Sequence, residues 1–321
     1  MNRAFLLYNP ESGRRQHRRL ADVQAAAAAL EASGIEVTLE PTQAPDTAAA
    51  QASKAIRDGH DALIVCGGDG SVNDVLAAAV GQSVALGVIP LGTGNGLASD
   101  LGLPRNPAKA AMALASARTR TVAVPRLQYT QRDGKMAVRH FIIGAGVGAD
   151  AYTLYRLTLD LKRRWGIAAY YFEATRQWLT HDFPLFTAEF CSGDAGWRRE
   201  QVSDILAVRI TKFGGLISKL APEASLARGD FQLILFKTRS RISFLRFMLG
   251  VWFERHYTGS DIEIVSATEC RCLPLNASSP TSIYVEADGE VLGTLPVNIK
   301  VASDTVNLLA PLTAAWKSAV L

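Results

Sequence analysis

The apolar positions of the first hundred residues change period several times. Residues 3–8 form a short apolar run, which predicts a strand, and Leu20, Val23, Ala27 and Leu30 then recur at helical spacing until Gly34. Residues 35–39 are rich in β-formers. Asp46 is the expected cap of a second helix, with Ala49, Ala52 and Ile56 on one side and Gly59 past its end. "DALIVC" (61–66) and "VALGVIP" (84–90) are nearly continuous apolar runs, the pattern of strands buried on both faces. This βαβα order predicts a parallel sheet with helices on both faces.

From about residue 122 the period shortens. "TVAVPRLQY", "VRHFIIG", "LFTAEF", "DILAVRI", "FQLILF", "DIEIV", "SIYVEAD" and "VNIKV" are strand-like runs separated by turns, as in an antiparallel sandwich or barrel. Helical patterns interrupt them at about 149–180 and 241–256. The expected organisation is an α/β domain over residues 1–122 and a β-rich domain over 123–302, the tail 303–321 being a candidate to pack back on the first. A chain of 321 residues also exceeds the usual size of one hydrophobic core.

Composition narrows the class. No stretch reaches the roughly 18 to 20 apolar residues of a membrane-spanning helix, and the first residues do not form a signal peptide, so a soluble, cytoplasmic chain is expected. Cys66, Cys191, Cys270 and Cys272 are too scattered for a disulfide framework, and Cys270 and Cys272 read as ordinary strand residues rather than metal ligands. The net charge is only +4, but "GRRQHRR" (13–19), "KRRW" (162–165) and "KTRSR" (237–241) concentrate positive charge. Such clusters are usually solvated faces; the alternatives are phosphates, an acidic membrane surface or nucleic acid, the last being weakest because no nucleic-acid-binding motif accompanies them, and the arginines of 13–19 are also a candidate dimer contact.

Three unusual segments end strands of the first domain: "YNPESGRR", "GGDGSVND" and "PLGTGNGLA". Ligands of open parallel sheets bind at this carboxyl edge. Gly67, Gly68 and Gly70 are expected to take positive φ and let backbone approach a ligand, with Ser71 capping the following helix. A helix N-terminus there favours an anion. Asp69 would repel bare phosphate, but becomes useful if Mg²⁺ lies between them. The plainer reading makes Asp69 a turn residue and Asn73 a backbone cap. Neither the phosphate loop G-x-x-x-x-G-K-[ST] nor a G-x-G-x-x-G after the first strand is present.

Taken together, these motifs resemble the diacylglycerol kinase catalytic family, the bacterial lipid kinases related to diacylglycerol and sphingosine kinases. The resemblance rests on Asn9-Pro10-x-Ser12-Gly13, Gly67-Gly68-Asp69-Gly70-Ser71-x-Asn73-Asp74 and Pro90-Leu91-Gly92-Thr93-Gly94-Asn95, in order and spacing. It continues through Gly144-x-Gly146-x-Gly148-x-Asp150-Ala151, "KRRWGIAAY", "APEASLARGDF" and Glu286-Ala287-Asp288-Gly289-Glu290. It implies a nucleotide-binding α/β domain, a β-sandwich domain and ATP in the cleft between them. It also implies Asp69 at the Mg²⁺-ATP site and Glu290 as the base, with Asp288 beside it. A lipid hydroxyl needs such a proton acceptor at transfer. "ADGE" would equally make a hairpin turn.

The chain departs from the family pattern in two places. Gly96 and Leu97 stand where many diacylglycerol kinases carry Asp-Phe, in the style of sphingosine kinases, and Arg228 replaces an Asp before Gly229, which leaves the accessory Mg²⁺ site of some members in doubt. The implied partner is a lipid, met transiently at the inner membrane face. "ISFLRFMLGVWFERHY" (242–257) is a candidate contact, with Phe244, Phe247, Met248, Val251 and Trp252 near helical spacing; burial in the second domain is the commoner fate of such a helix. Two other readings stay open: a catalytically silent nucleotide-binding regulator, and an NAD kinase, which shares Gly-Gly-Asp-Gly although its downstream Thr-Pro-Thr-Gly-Ser is missing here.

Overall fold

A computed structural model describes residues 1–10, 16–44, 47–92, 94–131, 133–157, 167–193, 196–213, 219–253, 255, 259–275 and 283–311. The chain divides into two compact units, residues 1–124 with the segment from Ser303 onward, and residues 125–302.

In the first unit β1 (Arg3–Tyr8), β2 (Glu36–Pro41), β3 (Ala62–Gly67) and β4 (Ala85–Pro90) form a parallel sheet in the order β4-β3-β1-β2. Asn307 and Leu308, late in the long strand β15 (Glu290–Ala310), pair with Ala85 and Leu86 at its other edge. Every residue of β3 and β4 is buried, as their unbroken apolar runs require. Right-handed crossovers put α1 (Gln16–Glu31) on one face of this sheet, and α2 (Ala48–Arg57) and α3 (Asp69–Ala79) on the other. Accordingly α1 packs against α5 (Pro107–Ala115) and α2 against α3; the short α4 (Gly96–Asp100) follows β4.

Two details depart from the expected pattern. Leu20 is exposed on α1, and its neighbour Arg19 takes the buried position. Asp46 lies outside the described residues, and the N-cap of α2 is Thr47, whose side chain makes no capping bond.

The second unit is antiparallel. The order β12-β11-β10-β7-β14-β15 comprises β12 (Ile262–Ala267), β11 (Phe231–Phe236), β10 (Asp204–Val208), β7 (Gly144–Gly148), β14 (Tyr284–Ala287) and the early part of β15. β15 also pairs with β13 (Glu269–Pro274), which leads to β8 (Phe186–Cys191) and β9 (Trp197–Val202), and with β5 (Arg118–Thr130), the partner of β6 (Met136–His140). Phe141, Phe186, Phe190, Phe231, Val285 and Ile299 meet in its core. β9 escapes the sequence pattern because "WRREQV" is a polar edge strand. Cys270 and Cys272 are buried free thiols of β13.

The long helical pattern resolves into α6 (Ala149–Arg156) and α7 (Ile167–Thr180), with 158–166 outside the described residues. The later one is α8 (Arg241–Trp252), shorter than expected. In "KTRSR", Lys237 pairs with Glu263 at 2.9 Å and Arg239 donates to the Asp182 carbonyl, so this cluster braces the unit itself.

Candidate active site

β1 and β3 are neighbours whose crossovers leave in opposite directions. The carboxyl ends of these two strands therefore flank the topological switch point, where open α/β sheets hold ligands. Asn9 and Pro10 follow β1, Gly68 and Asp69 follow β3, and Leu91 to Asn95 follow β4. Ser12, Gly13 and Thr93 lie outside the described residues.

The glycines serve close approach rather than left-handed backbone. None of Gly67, Gly68 and Gly70 has positive φ: Gly68 is extended at φ −102°, and Gly70 is inside α3. A Cβ on Gly92 would fall 2.4 Å from the Gly68 Cα, and one on Gly68 would fall 3.1 Å from the Gly92 Cα. The loops after β3 and β4 thus touch backbone to backbone. Ser71 does not cap α3; the N-cap is Gly68, no side chain closes that end, and a Cβ on Gly67 would meet Ser71 at 2.7 Å. An uncapped first turn directs its N–H groups and the positive end of the helix dipole at whatever occupies the loop.

Polar side chains lock these loops. Asn95, in the left-handed region at φ 56°, accepts from the Gly92 N–H and donates to the Gly92 carbonyl, both at 2.8 Å. Asp69 accepts from the N–H groups of Gly96 (2.9 Å) and Leu97 (3.1 Å), so it caps α4 from the start of α3. Burial raises the Asp69 pKa while these N–H groups oppose the rise. Asn73 is buried in α3, and its Nδ2 has no hydrogen-bond partner. Arg19, which the sequence pattern misses, is 4% exposed and donates to the Leu91 carbonyl at 2.7 Å. It brings a buried positive charge to the loop after β4. Cys66 at the end of β3 is no nucleophile, since burial pushes its thiol up to about 12.

In the second unit Asp288 (φ 49°) and Gly289 (φ 82°) make the tight turn of the β14–β15 hairpin. Asp288 accepts from the N–H groups of Ile142 (3.0 Å), Ile143 (2.8 Å) and Gly144 (3.1 Å), tying the turn to the start of β7. Glu286 is also buried and accepts from the Gly289 N–H at 2.9 Å. Glu290 is far more open, with 40% of its side chain exposed and an ion pair to Arg139 at 2.5 Å. The turn reading of "ADGE" holds: Asp288 and Glu286 brace the turn, and Glu290 faces outward.

Behind this turn lies an acid cluster whose members the motifs contain but whose grouping they do not reveal. Tyr170 donates to Asp150 at 2.5 Å, and the Asp150 N–H reaches Asp204 at 3.5 Å. A Cβ on Gly146 would fall 2.9 Å from Glu286 Oε1 and 3.0 Å from Asp150 Oδ2, and Gly148, at φ 117°, similarly faces Asp204. Burial first, then mutual repulsion, pushes Asp204 and Glu286 well above the carboxylate range; Asp150 is raised by burial, with the Tyr170 bond opposing.

The fit to the implied cofactors differs. The uncapped α3 and the glycine contact suit a phosphate chain. Among the described residues no group of three His, Cys, Asp or Glu could hold a metal ion. A lone Asp69 suits Mg²⁺ that is held chiefly by phosphate oxygens. At the departure noted above, Arg228 binds Asp230 through two bonds of 2.6 and 2.5 Å. The buried Arg209 guanidinium donates to the carbonyls of Arg228 (2.8 Å) and Asp230, so this loop is organised around a side-chain cation.

Residues 3–127 match the model of the diacylglycerol kinase catalytic domain, and residues 142–310 match that of the YegS C-terminal NAD kinase beta sandwich-like domain. Diacylglycerol kinase of Staphylococcus aureus (strain bovine RF122 / ET3-1) is 28% identical over 315 residues, covering 96% of this chain and 92% of the relative. That of Bacillus subtilis (strain 168) is 29% identical over 309 residues, covering 92% of each. The crystal structure of a diacylglycerol kinase from Bacillus anthracis str. Sterne shares the fold, with a TM-score of 0.67 at 19% identity over 98% of each chain. With both family models matched in order along nearly its whole length, the chain belongs to the diacylglycerol kinase catalytic family, a family of lipid kinases.

Proposed function

We propose that this chain transfers the γ-phosphoryl group of ATP to a lipid hydroxyl with Mg²⁺, diacylglycerol being the favoured acceptor. The observation that carries the reading is the loop assembly at the switch point, where Gly68 and Gly92 touch and Asp69 ties α3 to α4. Gly67, Gly68, Gly70, Ser71, Gly92 and Gly94, with Asn9 and Asn95, would line the phosphates. Asn73 would act from beneath. Mg²⁺, when bound, would neutralise charge on the phosphate oxygens beside Asp69.

On the acceptor side Glu290 takes the hydroxyl proton as the hydroxyl oxygen attacks the γ-phosphorus and ADP departs. Arg139 orients the Glu290 carboxylate, and Asp288 and Glu286 hold the turn that presents it. The partner is a lipid, met at a membrane surface.

The test is label transfer from γ-labelled ATP with Mg²⁺ to mixed micelles of diacylglycerol, monoacylglycerol, phosphatidylglycerol, sphingosine or ceramide. Label should enter diacylglycerol and be lost in Asp69→Ala and Glu290→Ala. Transfer to NAD, or ATP binding without transfer to any acceptor, would overturn the reading.

A further inference from the structure

α8 is apolar on two opposite faces. Phe247 and Val251 are buried in a core with Phe236 and Ile262, and Phe244 stacks on Phe236 with ring centroids 4.5 Å apart. The other face has no such cover. Ile242 is 68% exposed, Trp252 60% and Phe253 71%, with Leu245, Met248 and Leu249 exposed between them. Positions 242, 245, 249 and 252 follow helical spacing, so these side chains form one stripe along the helix.

Charge borders the stripe. Arg241 and Arg246 flank it on the helix surface, and Arg255, like them exposed, follows it after Glu254 in the sequence; no Asp or Glu occurs from Ser240 to Phe253. Arg246, Leu249, Gly250, Phe253 and Arg255 line a shallow groove of about 670 Å³. Trp178 Nε1 donates to the Arg241 carbonyl and Arg241 Nε to the Trp178 carbonyl, which sets the exposed Leu179 of α7 beside the start of α8.

We infer that this outer face of α8 is an interfacial anchor that seats on an anionic phospholipid surface. Apolar side chains with a tryptophan, bordered by Arg246 and Arg255, whose long stems suit contact with headgroup phosphates, match the chemistry of a bilayer boundary; Arg241 is committed to the carbonyls of Trp178 and His181. A second copy fits less well, because a twofold contact through this face would set arginines against arginines. The inference deepens the proposed lipid-kinase reading and rests on it: an acceptor confined to a bilayer requires the enzyme to reach that surface.

The experiment uses the full chain with vesicles of phosphatidylglycerol and phosphatidylcholine in equal parts, with pure phosphatidylcholine vesicles as reference, read by co-sedimentation. Binding should favour the anionic vesicles at least tenfold and weaken with salt. Ile242→Ser combined with Trp252→Ser and Phe253→Ser should lower it at least tenfold, and Arg246→Gln combined with Arg255→Gln several-fold. Both variants should keep the parent's turnover of a short-chain, micelle-free diacylglycerol. In the parent, brominated acyl chains should quench tryptophan emission, and Trp252→Phe should remove most of that quenching.

Unchanged vesicle binding in both multiple variants would overturn the inference. So would equal binding to neutral vesicles, or a parent dimer that the same substitutions dissociate. A chain that binds anionic vesicles through α8 but phosphorylates no lipid would refute the proposed activity and leave the anchor standing. A chain that phosphorylates soluble diacylglycerol and ignores vesicles would do the reverse.

Discussion

The two units build their motif regions by opposite means. In the first, side chains are removed so that backbones can meet: Gly68 and Gly92 lie so close that one methyl group would not fit. In the second, carboxylates are pushed into backbone, with Asp288 collecting three N–H groups and Glu286 and Asp150 lying over Gly146. The first arrangement leaves the N–H groups at the start of α3 without a side-chain cap. The second uses up its acids internally and leaves Glu290 open. Glycine-rich sequence therefore has two meanings in one chain: close approach of backbone in "GGDG", and room for buried acids in "GAGVG".

The sharpest break of this comparison is at the open carboxylate. Glu290→Gln should lower kcat by about 10²- to 10⁴-fold, as loss of a general base does, with nucleotide affinity unchanged in a binding titration. Equal loss of affinity would instead make Glu290 part of the nucleotide site.

Next is the backbone contact. Gly92→Ala should destabilise the chain by about 3 kcal/mol, the upper range for overpacking, because the obstructing atom belongs to backbone. Gly68→Ala, meeting its neighbour at 3.1 Å rather than 2.4 Å, should cost less; denaturant unfolding decides the order.

A smaller effect is expected from Asp288→Asn, which turns an amide donor toward one of the N–H groups. A loss of about 1–2 kcal/mol by the same measurement fits a buried donor left unsatisfied. No loss would mean that the turn holds without its carboxylate.

The smallest effects are in pH dependence, and they carry opposite signs. The raised pKa values of Asp150, Asp204 and Glu286 mean that their contribution is full below the ordinary carboxylate range and is lost as pH rises through the raised values. Tm should therefore decline as pH rises above the ordinary carboxylate range, and Glu286→Gln should flatten the decline. Glu263 is held down to about 2 by Arg198 and Lys237, so its contribution is present above the ordinary range and lost as pH falls toward 2. Glu263→Gln should reduce the acid-side loss of Tm.

Much of this molecule was legible in one dimension. Unbroken apolar runs identified β3 and β4 because strands buried on both faces need no polar alternation, and the change of period near residue 122 marked where the parallel sheet gives way to antiparallel strands. The three loop motifs and "ADGE" were found because glycine, asparagine and aspartate stand out against apolar strands. β9 was hidden, since an edge strand facing water carries no apolar signal.

Local chemistry along the chain thus determined the elements, the family and the candidate residues. Tertiary structure alone decided which contacts those residues make. The Gly68–Gly92 contact, Asp69 capping a helix 27 positions away and the meeting of Asp150, Asp204 and Glu286 each join segments distant in sequence. So does the exchange of Leu20 for Arg19 on α1, because Arg19 is drawn inward by a carbonyl 72 residues on. Periodicity reports which face of an element is apolar; it holds no information on which distant polar group waits there.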